Sequence, residues 1–144
     1  MSEQVRRDDE LGDDHTARVH PYAQHGFITG MTHAWHGVLH VFKHERNARI
    51  HLLFAVLAFV LGVLLKLSDE QLAAVVFAII IVFLAEIFNT AIERTLDLID
   101  IHENAQIKLI KDMSAGGVLV AAVGAVLVGI AVFFPALVEM LWGR

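Results

Sequence analysis

The chain has 144 residues, of which 56 % are apolar and 19 % charged, with a formal net charge of −5 and no cysteine. An ordinary soluble domain is roughly 45–50 % apolar and about 25 % charged, and the mean hydropathy here is +0.60. The balance excludes a disordered chain and, with no basic stripe, a nucleic-acid module. The missing cysteines exclude disulfide scaffolds, thiolate zinc sites and cysteine nucleophiles. What remains is a membrane protein of one-domain size.

Residues 1–23 are expected to form an acidic, disordered tail, with Asp8, Asp9, Glu10, Asp13 and Asp14 and little to bury. The tail has no apolar run of the kind that marks a secretory signal peptide. Over 24–48 the pattern changes. At ~100° per residue, Phe27, Met31, Ala34, Trp35, Val38 and Phe42 fall on one helix face and His33, His36, His40 and His44 on the other. This predicts an amphipathic helix lying in the membrane interface, with Trp35 as an anchor.

Three apolar blocks follow, with spans expected at about 50–67, 72–92 and 115–138. The first contains LLFAVLAFVLGVLL, Leu52 to Leu65. Its length of about 21 Å falls short of a roughly 30 Å hydrocarbon core unless Ile50, His51 and the stem of Lys66 extend it. The second block holds a single charge, Glu86, and the third, Ala115 to Phe134, holds none. Long unbroken runs exclude barrel strands, so the fold class is all-α: three transmembrane helices and an interfacial helix in a bundle. Six Lys and Arg precede the first span and three (Arg94, Lys108, Lys111) lie between the second and third. The loop after the first span and the C-terminal end have one each. Positive-inside then places the N-terminus and the 94–111 connection in the cytoplasm and the C-terminus outside.

Chemistry concentrates on the second span. A carboxylate inside an apolar helix is costly and marks a functional site by default. Glu86, Asn89, Glu93, Asp97 and Asp100 are spaced so that all share one face within about 80°. Lys111-Asp112 precedes the third span, and Glu45 stands in ERNARIH (45–51) where the interfacial helix meets the first span. On the deduced topology these groups converge on one bilayer face. Two acids able to hold a divalent cation (Glu45, Glu93), a lysine for phosphate (Lys111) and a buried acid (Glu86) suit phosphoryl transfer. The i, i+4 histidines read as a solvated polar face, since no H-E-x-x-H is present. No P-loop and no H-R-D or D-F-G of a protein kinase is present. A histidine-rich ion carrier and a structural subunit glued by its polar residues remain alternatives.

The segments ERNARIH (45–51), EIFNTAIERTLD (86–97) and KDMSAGGVL (111–119), with Gly37 upstream, closely resemble the small bacterial membrane diacylglycerol kinase and undecaprenol kinase family. The likeness covers roughly 26–135, and the pattern E-x-x-N-S/T-A-I-E-x-x-x-D followed by K-D is highly specific. It implies a homotrimeric enzyme of the bacterial inner membrane, active in lipid biosynthesis and phospholipid metabolism. Such an enzyme transfers the γ-phosphate of ATP, with Mg2+, to a membrane lipid alcohol at the cytoplasmic face. By resemblance Glu86 is the catalytic proton acceptor and Glu45 and Glu93 are magnesium ligands. Asn89, Lys111 and Asp112 line the nucleotide site by the same likeness, and His102, Glu103 and Asn104 fall where the connecting loop contacts ATP. The chain departs from the family at Gly26, often basic in relatives, and at His33, where relatives have tyrosine; both positions touch nucleotide or substrate there. The ERNxRIH form is more like the undecaprenol kinases, which favours undecaprenol as acceptor with diacylglycerol next.

Overall fold

A computed structural model describes residues 26–99 and 104–143. They form four α-helices: α1 (Phe27–His44), α2 (Arg46–Leu64), α3 (Asp69–Ile99) and α4 (Ala105–Trp142). The chain divides into two compact units, Met1–His36 and Gly37–Arg144. In the first, the N-terminal half of α1 starts from Gly26, whose carbonyl accepts from the amides of Thr29 and Gly30 at 2.9 and 3.2 Å. Its large apolar side chains Phe27, Ile28, Met31 and Trp35 are exposed.

The second unit contains the membrane spans. α2, α3 and α4 are each long and apolar enough to cross a bilayer. α3 is the middle element, packed against both α2 and α4. The residues paired along these contacts (His51 with Glu86, Lys111 with Asp97) make both contacts antiparallel. Burial is the reverse of a soluble protein's. Most large apolar residues of the spans are exposed, whereas the buried set includes Glu86 and Thr90 on α3. Apolar side chains facing outward are what a lipid solvent requires, and the polar groups are gathered inside.

Two junctions set the geometry. α1 and α2 do not run together as the expected helix over 24–48 would have them. Glu45 is extended (φ −93°, ψ 123°) and its side chain caps nothing, so the carboxylate is free to reach across to α3. Phe42, just before this break, packs edge-on against Phe83 of α3 with ring centroids 5.1 Å apart.

The α2–α3 junction is a Schellman turn. The amide of Leu67 donates to the Gly62 carbonyl and that of Lys66 to the Val63 carbonyl, both at 3.1 Å. Lys66 takes the left-handed position with φ 53°. Ser68 then opens α3 with a capping box: its amide donates to Gln71 Oε1 at 2.9 Å, and its hydroxyl accepts from the Gln71 amide at 3.3 Å. Leu67 and Leu72 close over Gly62, where an added Cβ would stand 3.2 and 3.3 Å from them.

α3 and α4 outrun their apolar blocks. At 31 and 38 residues they are about 46 and 57 Å long. The connection expected between the second and third spans is therefore mostly helix, and only residues 100–104 lie between α3 and α4. Asn104 caps α4 by accepting from the Ile107 amide at 2.9 Å.

Candidate active site

The polar stripe of α3 lies where the three helices and the α1–α2 break meet. Glu86 is deepest, only 2 % exposed. Nε2 of His51, from α2, lies 3.2 Å from Glu86 Oε1, within ion-pair reach but without hydrogen-bond alignment. Glu45 pairs with Arg94, the neighbour of Glu93 on α3, which brings the three carboxylates expected from the sequence into one polar cluster along α3.

One turn along, the side chains interlock. Asn89 Nδ2 donates to Glu93 Oε1 at 3.0 Å, and Ser114 Oγ on α4 donates to Asn89 Oδ1 at 2.6 Å. Because a carboxylate only accepts, the contact with Glu93 fixes which end of the Asn89 amide is nitrogen. Ser114 Oγ also lies 2.9 Å from the Lys111 carbonyl, which ties this relay to the start of the third span. Nearer the helix ends, Lys111 Nζ lies 2.7 Å from Asp97 Oδ1 and Arg94 Nη2 3.3 Å from Glu45 Oε1. A lysine and an arginine are thus held beside the acids, neutralising them.

The described contacts of this network do not include all of the expected site residues. Asp112 is exposed and makes no hydrogen bond or ion pair among the described residues. His33 is exposed on the part of α1 that belongs to the first unit. His102 and Glu103 lie outside the described residues, and the side-chain oxygen of Asn104 is engaged in capping α4. On α1, His40 and His44 stack with ring centroids 4.1 Å apart, and no group of three or more potential metal ligands converges among the described residues. Sequence reasoning named His51 as an extension of the first span and the end of ERNARIH without giving it a role, and it passed over Ser114 inside KDMSAGGVL. Both act across helices, and no local spacing announces such a contact.

The donor set fits a magnesium ion. Magnesium is commonly held by one or two carboxylates, with phosphate and water completing its shell. Glu45 and Glu93 supply two hard oxygen donors in the same cluster. An apolar cavity of 230 Å³ lies below the site, walled by Phe54, Ala55, Ala58, Val82 and Phe83 among others. His51 is the one polar residue on its wall.

Residues 32–133 match the prokaryotic diacylglycerol kinase family. The chain belongs to that family. Kinases of this family are phosphotransferases with an alcohol acceptor. Among curated relatives, a diacylglycerol kinase of Synechocystis is 35 % identical over 117 residues, covering 79 % of this chain and 66 % of the relative. The chain thus spans slightly under two thirds of that protein. An undecaprenol kinase of Bacillus subtilis is 34 % identical over 111 residues, covering 77 % of this chain and 90 % of the relative.

Proposed function

We propose that the protein transfers the γ-phosphate of ATP to the hydroxyl of a membrane lipid alcohol, undecaprenol in preference to diacylglycerol, at the cytoplasmic face of the bacterial inner membrane. The observation that carries this reading is the burial of Glu86 among apolar spans, next to His51 on the wall of an apolar cavity. A hydroxyl attached to a hydrocarbon is met there without leaving the membrane. Undecaprenol is favoured by the ERNxRIH segment and by the match to the Bacillus subtilis relative over 90 % of its length.

In this reading Glu86 takes the acceptor's proton as its oxygen attacks the γ-phosphorus, so the carboxylate must lie within hydrogen-bond reach of that hydroxyl. Lys111 and Arg94 offset the charge of the transferring group once nucleotide draws them from Asp97 and Glu45. Asn89, fixed by Ser114 and Glu93, orients the nucleotide side of the cluster, and the resemblance to the family is the ground for proposing Asp112, His102, Glu103, Asn104 and His33 as further ATP contacts. Glu45 and Glu93 would hold Mg2+, which when bound neutralises phosphate charge. The orientation follows from the Lys and Arg count: N-terminus and the 94–111 connection in the cytoplasm, C-terminus outside. α1 lies in the interface and residues 24–144 form the kinase domain, preceded by the acidic tail 1–23.

The test is transfer of labelled phosphate by the purified chain to undecaprenol and diacylglycerol side by side, with and without Mg2+. Metal-dependent labelling of both, faster with undecaprenol, is the expected result. Faster labelling of diacylglycerol would overturn the preference, and no labelled lipid at all would overturn the reading.

A further inference from the structure

His51 reaches the buried end of the site, and the phosphotransfer described above gives it no task. It comes from a different helix, its Nε2 lies 3.2 Å from Glu86 Oε1, and its side chain is 24 % exposed against 3 % for the glutamate. No other Lys, Arg or His pairs with Glu86 among the described residues. It is also the polar residue on the wall of the apolar cavity.

A general base works only when one oxygen is held within hydrogen-bond reach of the proton it takes. Glutamate has three side-chain torsions, and neither of its oxygens is fixed unless a partner holds the other. Imidazole on a membrane helix has two torsions and a rigid ring, and an Nε2–H donor serves whether the ring is neutral or charged.

We infer that His51 is a positioning residue for Glu86: it holds Oε1 through Nε2 and leaves Oε2 to the acceptor. This rests on the reading of Glu86 as the proton acceptor. In the step it serves, the acceptor O–H breaks and its proton passes to Oε2. The freed oxygen pair forms the bond to the γ-phosphorus, and the bond to the bridging oxygen breaks with its electron pair leaving on ADP. His51 itself gains and loses nothing.

The inference is tested on the full chain in lipid nanodiscs with single-turnover transfer and steady-state kinetics. Gln places an amide N–H near the position of Nε2, whereas Asn is too short to do so. His51→Asn should lower the transfer rate about 10–100-fold, the size of a lost polar contact to a buried charged group, with the KM for ATP unchanged. His51→Gln should recover most of that loss. His51→Asn added to Glu86→Gln should cost nothing beyond Glu86→Gln alone, because both act through one carboxylate. Equal rates for the Asn and Gln variants, or a full extra loss in the double variant, would overturn the positioning role. A parental rate in Glu86→Gln would overturn the underlying base assignment, which is a separate result from either. Should His51→Asn fail to assemble, the inference stands or falls on whether His51→Gln stays within a few-fold of the parent.

Discussion

The amide of Asn89 is held at both ends, by Glu93 on its own helix and by Ser114 on α4. Ser114→Ala removes the second tether and leaves Asn89 Oδ1 part-buried and unpaired. We expect a several-fold rise in the KM for ATP with a smaller change in the transfer rate, read by steady-state kinetics at saturating lipid. Glu86→Gln should behave the opposite way. It keeps the shape but cannot take a proton, so transfer should fall about 10²–10⁴-fold while ATP affinity, measured in the same preparation, stays near the parent's. Near-normal transfer in an assembled Glu86→Gln protein would remove this residue from catalysis. The face carrying Glu86, Asn89 and Glu93 was readable from spacing alone, because one helix supplies it. Ser114 and His51 were not, since they meet their partners across 25 and 35 positions of sequence.

Elements joined by tight, well-bonded turns contribute differently. The Ser68 capping box satisfies amides at the start of α3 that lie beyond the apolar run. Ser68→Ala should lower stability by about 1 kcal/mol, seen as a lower thermal midpoint in one detergent, with the transfer rate per folded protein unchanged. The three spans were legible because long uncharged runs have no other stable outcome in lipid. The break at Glu45 was not, because no glycine or proline marks it and the amphipathic pattern continues to that point. The helical continuation of α3 to Ile99 was legible in the shared face from Glu86 to Asp97, whereas the start of α4 at Ala105, ahead of its apolar block, was not. Charge along a sequence reports where water begins, and α3 remains a helix well past that boundary, with Lys111 and Asp97 pairing across its outer end.

At the level of the whole molecule, a single copy leaves the site incompletely enclosed. Glu86 is buried, but Glu93 is part-exposed and Asn89 only part-buried. Lipid against such groups is costly. We expect a homotrimer with these faces turned toward subunit seams, measurable as the mass of the assembly in nanodiscs, and a monodisperse active monomer would exclude it. Glu45→Ala and Glu93→Ala should each abolish most magnesium-dependent transfer and leave that mass unchanged, whereas His36→Ala/His40→Ala should cost far less. The first turn of α3, beside the Gly62 junction, and the acids of α3 share one uninterrupted helix, and this has a consequence for how the chain tolerates changes in length. A residue inserted between Leu72 and Glu86 advances everything beyond it by ~100° and ~1.5 Å, carrying Glu86 off His51 and Asn89 off Ser114 together. The same insertion past Ile99 leaves the phase of the stripe untouched. α3 is thus a shaft whose length up to the buried acid is fixed to the residue, while its amino acids remain free to vary wherever they face only hydrocarbon.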